Sequence, residues 1–125
     1  MKNTFLIAAI AATTIFTSCV KEGLGGKVEV VAFPKHHGIS VRPYKAFVKF
    51  NSKEFPGTLE SDYDLVINAD TTENHIELGK LTKGDYFIYM TAYDTSFSEI
   101  VVGGIPYTVS KDAVGELEVD IPVVE

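Results

Sequence analysis

Apolar and polar residues alternate with a period of two along most of the chain after residue 26. The alternation is clearest at Glu116-Leu117-Glu118-Val119-Asp120-Ile121, where apolar side chains would face a core and acidic ones the solvent. Turn residues such as His37-Gly38 and Pro56-Gly57 separate these segments, and no stretch has a convincing helical period. The pattern predicts a single all-β domain, an antiparallel sandwich of seven strands over residues 27–34, 43–51, 62–69, 74–78, 84–94, 98–109 and 115–123.

The same alternation predicts which side chains form the core between the two sheets. Alternate positions of a strand share one face, so the apolar set on each strand should point inward. The predicted core residues are Val30, Ala46, Val48, Phe50, Leu65, Ile67, Leu81, Tyr86, Ile88, Met90, Leu117, Val119 and Ile121.

The segment 84–94 is apolar on both faces, although only one face can line the core. If it pairs with 43–51, its outer face carries an aromatic patch, and exposed patches of that kind mark interaction surfaces for apolar or sugar-like partners. Alternatively, loop 52–61 folds over these rings and makes a second small core, which the sequence slightly favours. The candidate binding surface comprises Phe47, Phe87, Tyr89 and Tyr93.

The first residues of the chain have the layout of a secretory signal. Lys2 is followed by an apolar run over 5–16 and by small residues before Cys19. A retained transmembrane anchor is the alternative, but a spanning helix needs roughly 20 apolar residues and this run is shorter. Residues 16–19, Phe-Thr-Ser-Cys, resemble a lipobox, which implies a bacterial lipoprotein that is cleaved before Cys19 and acylated on its sulfur.

This resemblance divides the chain into a signal peptide (1–18), a lipidated cysteine with a flexible glycine-rich tether (19–26) and the sandwich domain (27–125). Val20 stands where an aspartate would retain such a protein in the inner membrane, which implies an outer-membrane lipid anchor. Lys21-Glu22 resembles part of a surface-export signal. The periplasmic face and the cell surface both remain open.

Two motifs resemble carboxypeptidase-regulatory and Cna-B-like domains, which are prealbumin-like and immunoglobulin-like sandwiches. Residues 74–89 end in a corner that reads leucine, two residues, glycine, acid, tyrosine, and residues 37–48 resemble the first hairpin. Tyr86 in this corner is predicted to bond the backbone a few residues upstream, as in a tyrosine corner. The resemblance covers most of 27–94 and implies a fold but no chemistry.

Charge and composition exclude several functions. The formal net charge is −6 with no basic patch, which argues against nucleic acid as a partner. A single cysteine cannot form a disulfide within the chain. A prealbumin-like hydrolase is disfavoured because its carboxy-terminal Tyr-Arg-Gly-Ser is absent and no catalytic set of side chains can be argued from spacing. A non-enzyme without a cofactor is therefore expected.

The three histidines are the remaining candidates for chemistry. His36 and His37 are adjacent, so on an extended strand their side chains would point to opposite faces and could not easily hold one ion together. One of them could still join His75 and a carboxylate around a zinc or copper ion. The sequence thus predicts a non-catalytic, lipid-anchored envelope module that binds a protein, glycan or small ligand. A metal-binding or metallochaperone-type lipoprotein using His36, His37 or His75 is the alternative.

Overall fold

Each alternating segment of the sequence forms a strand in the computed structural model, which describes residues 22–125. Cys19 and the predicted signal peptide lie outside the described residues. Within 22–125 the chain is nearly all β, with one turn of 3-10 helix at Glu60–Asp62. The strands are β1 (Leu24–His36), β2 (Ile39–Ser40), β3 (Arg42–Phe50), β4 (Leu65–Asn68), β5 (Ile76–Leu81), β6 (Gly84–Asp94), β7 (Glu99–Val109) and β8 (Gly115–Pro122).

These strands form two packed sheets, which confirms the predicted all-β sandwich. One sheet has β1 at its centre, with β5 and the short β2 on one side and β8 on the other, and the second has the order β4-β3-β6-β7. The described chain has eight strands rather than seven, because β2 has only two residues, too few for a period of two to show.

One strand pair departs from the predicted antiparallel arrangement. Strand β8 runs parallel to β1, from Val28 opposite Gly115 to Lys35 opposite Pro122. The reason lies in the connection 110–114, which leaves β7 at the end of the sandwich where β1 begins and passes to the other sheet. From there β8 can only run in the same direction as β1.

The predicted core is confirmed. Nine of its residues are buried, and Phe50, Leu65, Ile67 and Leu117 pack against them while partly exposed. The core also contains buried residues that the prediction left out, chiefly on β1, β5 and β7. They include Val28, Ala32, Ile76, Leu78, Val101 and Val109.

Tyr86 forms the predicted tyrosine corner and also fixes the start of β1. Its buried hydroxyl donates to the Thr82 carbonyl at 2.6 Å and accepts from the Gly23 N–H at 2.9 Å. The tether predicted over 19–26 is therefore too long, because β1 begins at Leu24. The physical reason is close approach: a Cβ on Gly26 would lie only 1.9 Å from the Leu81 carbonyl oxygen. Glycine here serves contact between β1 and β5 rather than flexibility.

The sandwich has two distinct ends. The amino-terminal pole contains Gly23, the end of β5 and the starts of β6 and β8. The histidine pole, defined by His36, His37, Asp94 and Glu125, contains the ends of β1 and β6. Since β1 has 13 residues, the two poles are separated by about 40 Å at most, at ~3.3 Å per residue.

The last residues of the sequence join the two sheets at the histidine pole. The Val123 N–H donates to the Lys35 carbonyl on β1. Val124 and Val102 on β7 exchange two backbone hydrogen bonds, each N–H donating to the other residue's carbonyl. This places Glu125 beside the end of β1. No helix within 22–125 has the length and apolar character needed to cross a membrane.

Candidate functional site

The aromatic residues proposed as a binding surface are mostly covered. Strand β6 pairs with β3 as predicted, which puts Phe47 on the same outer face as Phe87 and Tyr89. Their exposed fractions are only 4%, 7% and 6%. The Phe55 ring lies over Phe87 and Tyr89, with centroids 5.7 and 5.6 Å away.

The covering loop is itself held in place by Tyr63. Its ring stacks on Tyr89 at 6.0 Å, and its hydroxyl donates to the Gly57 carbonyl at 2.7 Å. The exposure that the candidate surface requires is therefore absent at Phe47, Phe87 and Tyr89, and the alternative of a second small core is correct. Tyr93 stays partly exposed, with its ring 6.1 Å from that of Tyr44.

The three histidines do not form one group. His75 directly precedes β5, and its ring is 5.2 Å from that of Phe33 while its Nδ1 is 3.0 Å from the Asn74 side-chain oxygen. It is not part of the ligand cluster found among the described residues, which consists of His36, His37 and Glu125. Within residues 22–125, His75 is therefore not brought together with His36 or His37.

His36 is the buried centre of the histidine pole. It is the last residue of β1 and is only 3% exposed. Its Nδ1 lies 2.6 Å from Asp94 Oδ2, and its Nε2 lies 2.9 Å from Glu125 Oε2. Each ring nitrogen thus faces a carboxylate.

Asp94 is rigidly placed at the end of β6. It is 6% exposed, and its second oxygen, Oδ1, accepts the Ser96 N–H at 2.8 Å. Both carboxylate oxygens therefore have protein partners. This fixes the carboxylate that in turn orients the His36 ring.

His37 lies on the same side as His36, which contradicts the expectation of opposite faces. It is the first residue of the two-residue turn between β1 and β2, with a φ of 51°, and Gly38 follows with a φ of 76°. Positive φ at both central positions is the requirement of a type I′ hairpin turn. The left-handed backbone brings the two imidazole rings to a centroid distance of 4.1 Å.

These side chains adjoin a small cavity at the histidine pole. Its volume is about 120 Å³, and its lining includes His36, His37 and Asp94 together with the exposed apolar Ile39 and Phe97. One possible ligand atom from each of His36, His37 and Glu125 lies within 4.8 Å of the others.

The electrostatics of the pole favour a positive charge on His36. The hydrogen bond with Asp94 is the main cause that raises the pKa of His36. The contact with Glu125 also raises this pKa, whereas burial lowers it. The same contact with His36 is the main cause that lowers the pKa of Asp94. A backbone hydrogen bond and then His36 lower the pKa of Glu125. The arrangement can thus hold a cation between two carboxylates.

Sequence reasoning could not find Asp94 and Glu125 as partners of His36. They are 58 and 89 residues away along the chain, and only the strand topology brings them together. The one local signal was Asp94 two residues before Ser96, a spacing at which aspartate commonly accepts a backbone N–H.

Comparison of this chain with models of known protein families, with curated proteins and with solved structures gives no match. The resemblance to carboxypeptidase-regulatory and Cna-B-like domains stays a prediction. Inference about function therefore starts from the side chains of the chain itself.

Proposed function

We propose that this protein is a non-catalytic, lipid-anchored module of the bacterial cell envelope that binds a small ligand at the histidine pole. The observation that carries the proposal is the built site at this pole, where buried His36 and Asp94 adjoin a cavity of about 120 Å³. Buried polar side chains that converge on a cavity are the usual mark of a binding site.

The path of β1 relates this site to the proposed anchor. Cys19 precedes Gly23 by four residues, and Gly23 is bonded to Tyr86 at the amino-terminal pole. A lipid on Cys19 would therefore hold that pole against the membrane. The histidine pole, at the far end of β1, would face away from the membrane and be open to a ligand.

The size of the cavity favours a small ligand over a glycan or a protein. Sites for drug-sized molecules usually have volumes of roughly 300–1,000 Å³. The cavity beside His36 has about 120 Å³, enough for an ion or a few atoms. The aromatic surface that could have bound a glycan or protein is covered by the loop around Phe55.

The contacts of His36 favour binding over catalysis. An Asp-His pair activates a hydroxyl or thiol when the second ring nitrogen faces that nucleophile. Here the second nitrogen, Nε2, faces the Glu125 carboxylate at 2.9 Å instead. In the described part of the chain, this nitrogen therefore faces a carboxylate and not the nucleophile that a triad needs.

Anchoring is tested by the chemistry of the cysteine. We expect mass spectrometry of the native protein to find Cys19 as an acylated amino terminus. Cys19→Ser should release the protein from membranes or leave an uncleaved precursor. An unmodified Cys19 thiol in the native protein would refute the anchor.

The orientation is tested with one dye on each pole of the lipoprotein in vesicles. Acylated Cys19 leaves an introduced cysteine as the only free thiol. Val114→Cys, directly before the start of β8, then labels the amino-terminal pole, and Thr95→Cys labels the histidine pole. Both positions are exposed. A quencher on the lipid headgroups should quench the dye at 114 strongly and the dye at 95 weakly. Equal or reversed quenching would contradict the proposed orientation.

A further inference from the structure

We propose that the histidine pole binds a divalent first-row transition-metal ion, with His36, His37 and Glu125 as ligands and Asp94 as a positioning residue. This names the ligand class of the site in the proposed function and rests on that site, but it does not depend on the lipid anchor. Four observations carry it.

The first observation is that a neutral His36 ring cannot satisfy both of its partners. A neutral imidazole has one N–H, whereas two carboxylates face its two nitrogens at 2.6 and 2.9 Å. If Nδ1 donates to Asp94, the lone pair of Nε2 faces a Glu125 oxygen. Only a cation in that position, a proton or a metal ion, makes the contact favourable.

The second observation is the orientation of His36. Histidines that bind metals usually donate the other ring N–H to a carboxylate, which fixes the tautomer and the ring plane. Asp94 is in this position and is itself held by the Ser96 N–H. The Nε2 atom is thereby directed toward Glu125, where a shared ion would lie.

The third observation is that His37 and Glu125 can complete the ligand set. A tetrahedral ion with bonds of about 2.0–2.2 Å needs ligand atoms roughly 3.3–3.6 Å apart. The ligand atoms of the cluster lie within 4.8 Å of one another, and the side chains of His37 and Glu125 are exposed. Small rotations of these two side chains would therefore close the set around buried His36.

The fourth observation is the type of ligand. Two imidazoles and one carboxylate favour zinc, copper or nickel over magnesium and calcium, which prefer oxygen ligands. Asp94, which lines the cavity, and Glu125, which contacts His36 from outside the cavity lining, supply negative charge; Arg42 also lines the cavity and opposes it. Three protein ligands leave a fourth position open for water or for a group from a partner.

The test is a calorimetric titration with Zn²⁺ of the full chain carrying Cys19→Ser, in detergent and without a polyhistidine tag. The substitution removes the one thiol that could bind zinc, and it separates this test from lipid attachment. We expect one Zn²⁺ per chain and no binding of Mg²⁺ at the same concentrations. Absence of Zn²⁺ binding would overturn the metal proposal even if Cys19 proves to be acylated in the native protein.

Matched variants locate the ion. His37→Asn removes a ligand but keeps an Asn-Gly pair, which type I′ turns favour. Glu125→Gln keeps the size of the side chain and removes its charge. Each should weaken Zn²⁺ binding by at least about tenfold, whereas His75→Asn should leave it unchanged. Unchanged affinity in the first two variants, or an equal loss in His75→Asn, would overturn the assignment.

Asp94→Asn tests the positioning role. It should weaken Zn²⁺ binding by about 10- to 100-fold, the usual effect of losing a carboxylate behind a metal-binding histidine. The ¹⁵N chemical shifts of His36 report a change that a merely structural role would not produce, namely loss of the fixed Nδ1–H tautomer. An unchanged tautomer together with wild-type affinity would show that Asp94 does not position the ring.

Discussion

The Tyr86 hydroxyl links three parts of the chain at one atom. It is fully buried, donates to the Thr82 carbonyl and accepts the Gly23 N–H, while the Thr82 hydroxyl lies 3.1 Å away. Removing it would leave a buried N–H and a carbonyl with fewer partners. Such losses cost more than the hydrogen bond itself contributes, because the buried groups that lose a partner are not returned to water.

Tyr86→Phe should therefore lower the free energy of unfolding by about 1–3 kcal/mol. Equilibrium denaturation in urea measures this loss. Tyr93→Phe is the matched control, since this ring is partly exposed, and it should change stability by less than about 0.5 kcal/mol. Equal effects of the two substitutions would show that the corner does not support the fold.

Strand β6 is the element on which both cores depend. It lies between β3 and β7, with Tyr86, Ile88 and Met90 in the main core and Phe87 and Tyr89 under the loop. Both of its faces are therefore buried, as the continuous apolar sequence of 84–94 indicated. A substitution on one face should affect the main core, and a substitution on the other face should affect the second core under the loop.

Ile88→Ala tests the main core, because Ile88 has no exposed surface. The lost contacts and the cavity left behind should cost about 2–5 kcal/mol of unfolding free energy, measured by urea denaturation. Ile100→Ala on the exposed side of β7, where the side chain is 65% exposed, should cost less than about 0.5 kcal/mol. A loss below that limit for Ile88→Ala would mean that the faces of β6 are reversed.

Burial of Tyr63 beside the covering loop should make the stability of the fold depend on pH in the alkaline range. Burial is the main cause that raises the pKa of Tyr63 to about 12, and nearby Tyr89 adds to it. A phenol with a raised pKa in the folded state stabilises the fold fully below its unfolded pKa of about 10 and loses that effect as pH rises toward 12.

We therefore expect the free energy of unfolding, measured by urea denaturation, to fall between pH 10 and 12. In Tyr63→Phe it should fall less steeply, with a dependence on pH that is smaller by up to one proton. Parallel slopes for the wild type and Tyr63→Phe would show that the loop does not cover Tyr63 in solution.

At the scale of the whole molecule, periodicity predicted more of the fold than of the site. Alternation depends on neighbouring residues, so it located the strands and the inward side chains. The site depends on contacts that alternation does not encode: the left-handed turn at His37, and two carboxylates 58 and 89 residues from His36. The parallel β8, which runs beside β1 to the histidine pole, brings Glu125 there.

The relation between the two poles agrees with the proposed function. A lipid at the amino-terminal pole and a ligand at the histidine pole would act at opposite ends of β1, so that binding would not compete with the membrane for space. The open fourth position of a bound ion would then face the compartment and not the lipid. This arrangement suits a tethered binding module.

The central claim is that a metal ion binds between His36, His37 and Glu125, and ¹⁵N NMR of the histidine side chains during a Zn²⁺ titration tests it most directly. The chain has only three histidines, so each ring can be assigned by substitution. We predict that stoichiometric Zn²⁺ shifts the ring nitrogens of His36 and His37, with Nε2 of His36 affected and its Nδ1 still protonated, while His75 does not change. Shifts confined to His75, or no shift at all, would contradict the account.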